Sequence, residues 1–466
     1  MATRGTIVFL SLVGFSRAVA QSTGGENPAP SPALDSDPPG AWLFPVECLN
    51  NALPRWLRFG GEYRLRFESE DGISHTTTND AYLLGRLRFN TKIQPVKWLT
   101  FFGETQDSRI FFNQHVPDAV PYQNIWDIRQ AYIQLGSTTE GLANLIVGRQ
   151  VFAFGEERVI GPSDWLNMGR TFDAVRLDVH QTGYKVSLFA SSVVAGVDGA
   201  MDHHQQGDNL YGIYGSFKNL VPKATVEPYV LWRLAPANAG LPETADRGHL
   251  SETTLGLHVA GALPAGFDYD IEMDRQTGSL GPNSIRAWAG YWSLGRKFLS
   301  VPATPRVFIE SNYASGTRNP DGHTWGTFDQ IYPSNHDKLE FADQFGRKNI
   351  QQVRAGVEET IGKKWKLRQT YVDLWLATTH DALYASNGAI SIAADPNATS
   401  RHIGQEVDVI AQYQVDKAIT AGFGYARLFS GRFSEDSLAR EGLWLSVRVS
   451  HLRILRRQQM RISQKG

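Results

Sequence analysis

The sequence predicts an all-β fold: a single transmembrane antiparallel β-barrel of about 18 strands, with long extracellular loops and short periplasmic turns. Three observations predict it. Apolar and polar residues alternate with period two in many segments. Each segment has roughly the ten residues that a tilted strand needs to cross a bilayer. The connections alternate between long and short, as in outer-membrane barrels. No apolar run reaches 18 residues, which excludes a helical membrane protein.

The N-terminus has the features of a secretory signal peptide. Arg4 precedes an apolar run from Ile7 to Phe15, and Ala18-Val19-Ala20 stands before Gln21. A basic start, an apolar centre and a small-residue end are the parts that such a peptide needs. We therefore expect a signal peptide over residues 1–20, and a final location in the bacterial outer membrane.

The rest of the chain divides into three parts. Residues 21–54, which begin rich in Pro, Ser and Gly, are expected to form a flexible lead-in. The barrel is expected over 55–452, and a basic tail over 453–466. The single cysteine, Cys48, excludes an internal disulfide and a cysteine-rich metal site, and we expect no metal and no cofactor. The balance of 46 basic and 47 acidic residues argues against nucleic acid as a partner.

The clearest alternation begins at Leu57, where apolar residues hold the odd positions and charged residues most of the even ones. It recurs near 83–93 and 267–276, whereas 97–109 and 364–378 are noisier. In this way we expect strands near 55–68, 81–93, 97–109, 125–135, 142–152, 172–181, 184–194, 208–217, 223–234, 251–261, 266–277, 285–296, 305–314, 349–360, 364–378, 402–415, 418–430 and 441–452.

The connections between these strands separate into two groups. Every second connection is long, apart from a short one near 278–284, and those between them are brief turns such as Thr182-Gly183. Every backbone polar group must be paired in hydrocarbon, so a sheet can span a membrane only when it closes on itself. A barrel of this size is expected to enclose an aqueous, polar lumen.

Opposite charges collect on opposite sides of the expected lumen. The first two strands would turn inward Arg58, Arg64, Arg66, Arg86, Arg88 and Lys92, and the eleventh Asp268, Asp270, Glu272 and Asp274. In a ring of 18, strands 2 and 11 face each other, so the charges would set up a transverse field. Alternatively, they keep the wall wet and pair with neighbours, as Glu252 and Arg286 on the flanking strands could. A ladder of Arg suits a polyanion, because its planar fork binds carboxylates.

The segment 148–176 is the densest group of charged residues. It holds four Arg and four acids between two expected strands, together with several aromatic residues. Two interpretations remain open. The segment folds into the lumen as a constriction, or it forms an outward loop held by salt bridges.

Three stretches give the chain a resemblance to a known family. The first is Gly148-Arg149-Gln150, Gly155-Glu156-Glu157-Arg158, Asp164-Trp165, Asn167 and Arg170-Thr171-Phe172-Asp173; the others begin at Thr327 and Arg401. Together they resemble the alginate-export family of outer-membrane barrels. The resemblance implies an Arg-lined pore for an anionic uronate polymer. It also implies pore roles for Arg149, Arg158, Arg170 and Arg176, with Asp164 and Asp173 as counter-charges. The same role for Arg64, Arg66, Arg86 and Arg88 rests on alternation alone.

The predicted function is an outer-membrane channel for an anionic polysaccharide, and not an enzyme. A substrate-selective porin for small organic anions is the main alternative. An outer-membrane enzyme is a further one, and would use the loop histidines His203, His204, His323 or His336 beside acidic residues. Expected partners are the anionic polysaccharide or organic anion, outer-membrane lipid and a periplasmic export partner. We expect a monomer.

Overall fold

Eighteen antiparallel strands form one closed sheet in a computed structural model that describes residues 44–72, 78–137, 141–218, 220–237, 248–441 and 448–458. A two-residue segment, Thr324–Trp325, adds a short parallel pairing to the twelfth of them. The strands are β1 (Leu57–Asp71), β2 (Asn79–Val96), β3 (Leu99–Phe111), β4 (Asn124–Gly136), β5 (Ala143–Gln150), β6 (Phe172–Gln181), β7 (Tyr184–Ala195), β8 (His203–Lys218), β9 (Ala224–Ala235), β10 (Leu250–Ala262), β11 (Phe267–Leu280), β12 (Asn283–Lys297), β13 (Arg306–Ala314), β14 (Ile350–Ile361), β15 (Trp365–Leu376), β16 (His402–Gln414), β17 (Ile419–Ser430) and β18 (Arg448–Gln458). The predicted fold class is confirmed.

The sheet closes between its first and last strands. β1 pairs with β2 on one side and with β18 on the other, and Leu65 stands opposite Gly85 and Ile454. β18 runs to Gln458 and so includes residues 453–458, which the sequence predicts as tail. That boundary is corrected, because the backbone of these residues pairs with β1 and β17.

Two short helices flank the barrel. α1 (Phe44–Ala52) lies within the predicted flexible lead-in, and that prediction is wrong for these residues. Asn50 fixes α1 to β1, because its side-chain amide donates to the Phe59 carbonyl at 2.8 Å and accepts from the Phe59 N–H at 2.9 Å. α2 (Arg432–Glu441) follows β17. No described helix is long and apolar enough to cross a membrane. The predicted signal peptide lies outside the described residues.

Alternation separates the two faces of the wall. On β1, Tyr63 and Phe67 are 43% and 44% exposed, whereas Arg64 and Arg66 between them are buried. Successive side chains of a strand point to opposite faces, so the apolar set faces lipid and the charged set faces the lumen. The inward direction predicted for the Arg side chains of β1 and β2 is confirmed.

Loop length differs between the two rims. One rim, the long-loop rim, carries connections such as 112–123, 151–171, 315–349 and 377–401; the other, the short-turn rim, carries brief turns. The exception on the long-loop rim is β11–β12, which only Gly281 and Pro282 connect. Long loops and short turns therefore segregate as the sequence predicts.

The lumen is packed where the sequence predicts an aqueous channel. Two segments of the long-loop rim enter it: the first inward loop (residues 151–171) and the second inward loop (residues 315–349). Phe328 and Phe345 of the second are fully buried against inward residues of β12, β14 and β15. Phe152 and Ile160 of the first join a separate cluster on β6 to β9. The prediction fails here because these loops carry apolar side chains that need burial.

Candidate functional site: the lumen and the two loops that cross it

The inner face of β1, β2 and β4 forms a surface that we call the arginine wall. Its members point into the lumen and are at most 9% exposed; they are Arg64, Arg66, Arg86, Arg88 and Arg129. Four came from the alternation in the sequence, and Arg129 was missed. β4 has register shifts in its pairing with β3, which obscure the period-two pattern around Arg129.

The arginine wall binds the backbone of the first inward loop. Arg64 and Arg86 each donate from Nη1 to the Asp164 carbonyl at 2.9 Å. Both also donate to the Leu166 carbonyl at 3.1 Å. The first inward loop therefore lies inside the barrel. Of the two interpretations of this segment, the structure shows the constriction and not the outward loop.

Asn167 is a second anchor of this loop. Its amide donates to the Gly85 and Arg109 carbonyls at 3.1 Å and to the Tyr122 carbonyl at 2.8 Å. Its Oδ1 accepts from Arg64 at 3.1 Å. The side chain is 1% exposed, so these bonds replace all of its hydration. The sequence assigned this residue no role beyond its place in a motif.

Asp164 lies among three members of the arginine wall. Its Oδ1 is 2.7 Å from Arg88 Nη1 and 3.4 Å from Arg129 Nη2, and its Oδ2 is 3.5 Å from Arg86 Nη2. The sequence predicts it as a counter-charge to the Arg residues of its own segment. Its partners are on the wall instead, which is a correction.

Arg158 and Arg170 reach across the lumen from the first inward loop. Arg158 donates to Asn312 Oδ1 at 3.0 Å and lies 3.3 Å from the ring centre of Tyr291. Arg170 donates to the Pro333 carbonyl at 2.8 Å. Neither forms a salt bridge with a carboxylate among the described residues. Burial lowers the pKa of Arg170 to about 10, so it remains a cation at neutral pH.

The remaining predicted pore residues separate by strand face. Arg149 follows the exposed Val147 by two positions, so it lies on the outer face of β5. Its Nε donates to Asp173 Oδ1 at 2.8 Å. The assignment of Arg149 and Asp173 to the lumen is corrected. Arg176 faces inward, and its Nε donates to Asp178 Oδ1 at 2.7 Å.

The two inward loops are joined to each other. Ile160 and Tyr332 form a parallel bridge, in which the Tyr332 N–H donates to the Val159 carbonyl at 2.9 Å. Trp165 and His336 stack with ring centres 3.6 Å apart and planes 2° apart. The Arg66 guanidinium covers the other face of Trp165 at 3.9 Å. The loops therefore form one layer across the lumen.

His336, a candidate of the enzyme alternative, is part of this layer. Its Nδ1 lies 2.6 Å from Asp343 Oδ2 while its ring stacks on Trp165. His203 and His204 lie apart from it, exposed at the start of β8. No group of three or more His, Cys, Asp or Glu within the described ranges is placed to hold a metal ion.

The acidic wall, formed by Asp270, Glu272 and Asp274 of β11, stands nine strands from β2 in either direction. Its charges are locally paired. His258 places its Nε2 2.8 Å from Asp270 Oδ1, and Arg347 places Nη2 3.1 Å from Asp274 Oδ2.

Pairing with Arg286, which the sequence suggested, does not occur. Arg286 is exposed on the outer face of β12, alternating with inward Ile285 and Ala287. Glu252 is buried on the inner face of β10. The acidic wall is therefore paired with neighbouring residues, as the second alternative predicts, but its partners are His258 and Arg347.

A third charged group lies where the second inward loop meets β14 and β15. Arg354 Nε is 3.3 Å from Glu310 Oε1 and its Nη1 is 3.5 Å from Asp337 Oδ1. Arg368 also forms an ion pair with Asp337. Sequence reasoning missed both Arg residues. Each faces inward by alternation, which is the signal that could have found them.

The closed sheet, its two rims and the polar inner face define an outer-membrane β-barrel channel. The family model described as alginate export matches residues 55–442, and the chain belongs to the alginate export family. The chain is thereby a member of a family of outer-membrane transport channels.

Solved structures of outer-membrane porins share the fold. Pseudomonas aeruginosa OpdK with vanillate has a TM-score of 0.57 at 9% identity, over 86% of this chain and 98% of that one. Pseudomonas aeruginosa OccK5 (OpdH) has a TM-score of 0.56 at 10% identity, over 86% and 98%. Pseudomonas aeruginosa OccK11 (OpdR) has a TM-score of 0.53 at 11% identity, over 86% and 95%. No curated protein sequence matches the chain.

Proposed function

We propose that the protein is an anion-selective channel that passes a uronate-type polysaccharide through its arginine-lined lumen. The observation that carries the proposal is the cluster of five buried, inward guanidinium groups in the arginine wall. The arginine wall pairs with four carboxylates: Glu62, Glu68, Glu104 and Asp164. Arg158 and Arg170 of the first inward loop add two positive charges, and Glu156 and Glu157 of the same loop add two negative charges. Seven guanidinium groups thus stand against six carboxylates in the wall and this loop.

The way in which the wall holds the loop suggests how an anion would be admitted. Arg64 and Arg86 donate to neutral carbonyl oxygens, and hydrogen bonds from Arg to a carboxylate are stronger than those to a carbonyl. A solute carboxylate can therefore replace the loop at these donors without leaving them unpaired. Several such donors along the wall give a series of weak sites, which conduction requires.

Unused donors support the same proposal. Arg88 Nη2, Arg129 Nε and Arg158 Nε are buried and make no hydrogen bond within the described part of the chain. Buried polar groups are nearly always paired in folded proteins. Carboxylate and hydroxyl oxygens of a sugar acid would satisfy these donors.

A porin for small organic anions is the second candidate, and the packing of the lumen favours it. The two inward loops are joined and bury Phe328, Phe345, Phe152 and Ile160 inside the barrel. A polymer would need this layer to move aside, whereas a small anion needs less room. Pseudomonas aeruginosa OpdK, whose fold is similar, was crystallised with vanillate, a small carboxylate.

Planar-bilayer recordings test the proposal. In a KCl gradient we expect an anion-selective reversal potential, and block by oligouronates but not by neutral oligosaccharides of equal length. Arg158→Gln removes a lumen charge that has no carboxylate partner, and should weaken the oligouronate block about tenfold. The control is Arg109→Gln, which removes an Arg from the outer face of β3.

The outcomes separate the candidates. Cation selectivity, or an oligouronate block that Arg158→Gln leaves unchanged, contradicts an arginine-lined anion path. Anion selectivity with stronger block by vanillate than by oligouronates of equal charge replaces the polysaccharide with a small organic anion.

The proposal includes the untested parts of the predicted organisation. We propose that residues 1–20 are cleaved as a signal peptide, that the channel is a monomer, and that a polymer is delivered by a periplasmic partner at the short-turn rim. Mass spectrometry of the mature N-terminus and cross-linking in cells check these points.

A further inference from the structure

Two Arg side chains lie on the outer face of the barrel, where lipid is the solvent. Arg275 of β11 and Arg286 of β12 are both exposed, and each shares its face with apolar residues. Met273 next to Arg275 is 49% exposed, and Trp288 next to Arg286 is 37% exposed. Neither guanidinium makes a hydrogen bond or an ion pair with any residue in the described ranges.

The two Arg residues form a pair near the long-loop rim. Arg275 stands opposite Trp288, and Arg286 stands opposite Thr277. They are thus diagonal neighbours on one face, with Cα atoms about 7–8 Å apart. Outward positions of β10 to β13 carry no carboxylate. The pair is therefore a local positive patch of two charges.

The β11–β12 connection itself is short, and Thr324–Trp325 of the second inward loop pairs with Ser284–Ile285 of β12 beside the patch. Gly281 and Pro282 alone join the two strands, whereas neighbouring connections such as 315–349 are long. Trp288 stacks on Tyr313 with ring centres 4.3 Å apart beside the patch. Tyr and Trp collect at the level of lipid head groups, which places the Arg pair at that level too.

Another outward Arg shows what the chain does when it neutralises such a charge itself. Arg109 of β3 also faces outward near the long-loop rim. Its Nε and Nη2 donate to the two carboxylate oxygens of Asp107 at 2.8 and 2.9 Å. A charge on the lipid face is unfavourable unless it is paired. Arg275 and Arg286 have no such partner in the wall, and anionic groups of the membrane are available at this level to supply one.

An apolar groove lies on the same face, beginning two strands away. It has a volume of about 420 Å³ and is lined by outward side chains of β6 to β9, among them Leu188, Tyr211, Val230 and Trp232. Trp232 stands opposite Thr253, which stands opposite Thr277, which stands opposite Arg286. Adjacent strands are about 4.8 Å apart, so Trp232 is about 15 Å from Arg286 across the wall. A lipid with several acyl chains covers that distance.

We propose that Arg275 and Arg286 bind the phosphate of a phosphorylated, multiply acylated glycolipid of the outer leaflet, and that the groove on β6 to β9 accepts one of its acyl chains. The planar guanidinium matches phosphate oxygens with two parallel hydrogen bonds. The long-loop rim faces outward from the cell in such barrels, which selects the outer leaflet. This proposal depends on the fold and not on the transported solute.

Native mass spectrometry of the whole barrel in neutral detergent tests it, with diphosphoryl lipid A as the probe. We expect lipid A to bind the wild-type barrel, and the double variant Arg275→Gln/Arg286→Gln to bind it about tenfold more weakly. Arg109→Gln is the matched control and should bind as the wild type does. Trp232→Ala should weaken binding through the groove while leaving both Arg residues in place.

Three results would overturn the proposal. Equal binding by the double variant would remove the Arg pair from the site. Equal binding of dephosphorylated lipid A would remove the phosphate. Displacement of lipid A by equimolar inorganic phosphate would make the pair a site for free phosphate. The shift in gel mobility between heated and unheated samples shows that each variant is folded, so a loss of binding is a loss of the site.

Discussion

The two inward loops cross the same lumen but are held by different sets of groups. The first is held by donors of the wall, since Arg64 and Arg86 donate to its carbonyls. The second is held by donors as well as by acceptors, since Arg354 of β14 donates from Nη1 to the Asp337 carbonyl at 3.2 Å. Glu406 of β16 accepts from the Phe341 N–H at 2.7 Å, and Asp381 accepts from the Thr317 N–H at 2.8 Å.

The difference follows from the charge of the wall that each loop meets. A cationic wall satisfies the backbone carbonyls of a loop, whereas a wall with groups of both signs satisfies its carbonyls and its N–H groups. Release of the first loop would expose guanidinium groups, whereas release of the second would expose groups of both signs, such as Arg354 and Glu406. If anions are the solute, the first inward loop controls both opening and selectivity, and the second controls opening alone.

The largest effect is expected for Asn167→Ala. A buried side chain loses its two N–H donors, which the carbonyls of Gly85, Arg109 and Tyr122 share, and its Oδ1 acceptor. We expect the docked state of the first loop to lose about 3 kcal/mol, or about a hundredfold in its equilibrium constant. Single-channel recording should show longer openings with stronger anion selectivity.

Ser108→Ala is the control for this variant. It removes one hydrogen bond to the same loop, from Ser108 Oγ to the Asn167 carbonyl at 2.8 Å. Its effect should be near 1 kcal/mol. Equal conductance of the Asn167→Ala variant and the wild type would show that the first loop does not control the path.

A smaller effect with a different signature is expected for Asp381→Ala. This carboxylate accepts from the Thr317 N–H at 2.8 Å and from Thr327 Oγ1 at 2.5 Å, both in the second inward loop. Its loss should cost about 2 kcal/mol of docking. Openings should become longer while the reversal potential stays unchanged, and Asp381→Asn, which keeps an acceptor, should lie between. A shift in selectivity as large as that of Asn167→Ala would break the distinction between the loops.

Trp165→Ala tests whether the loops move together. The stack of Trp165 on His336 should contribute about 1 kcal/mol to the contact between them. Without it, we expect the single open level of the wild type to divide into two levels. Trp165→Phe retains a ring and should retain the single level. Two levels in the wild type itself would show that the loops already move independently.

Sequence reasoning identifies the barrel because the pattern that it uses is the one that the membrane imposes. Residues such as Tyr63 and Arg64 face lipid and lumen in turn, so period two is visible without any knowledge of contacts. The same pattern also places Arg149 outward, two residues after Val147. Its assignment to the lumen came from a family resemblance, which carries residue identity but not the face of a strand.

The contacts inside the lumen could not be predicted in the same way. The partners of Arg64 and Arg86 are carbonyl oxygens at Asp164 and Leu166, and every residue has a carbonyl. Nothing in the side chains indicates which ones the loop presents. Asn167 carries a weak signal, because an amide in a charged loop has few reasons to be there other than binding backbone groups.

The smallest expected effect concerns pH and is expected from Glu340 of the second inward loop. Burial and the nearby Asp343 carboxylate raise the pKa of Glu340 from 4.5 to about 8. The docked loop therefore favours the neutral carboxyl, whose Oε1 accepts from the Phe345 N–H at 3.0 Å. The stabilisation is complete below about pH 4.5 and is lost as the pH rises through about 8. The first inward loop has no such group in its anchor at Asn167. Between pH 6.5 and 9.5 we thus expect the open fraction to rise without a change of selectivity.

The Glu340→Gln variant should remove this rise. The Glu435→Gln variant, which changes an exposed acid of α2, should retain it. A pH response that persists in Glu340→Gln would place the titrating group elsewhere.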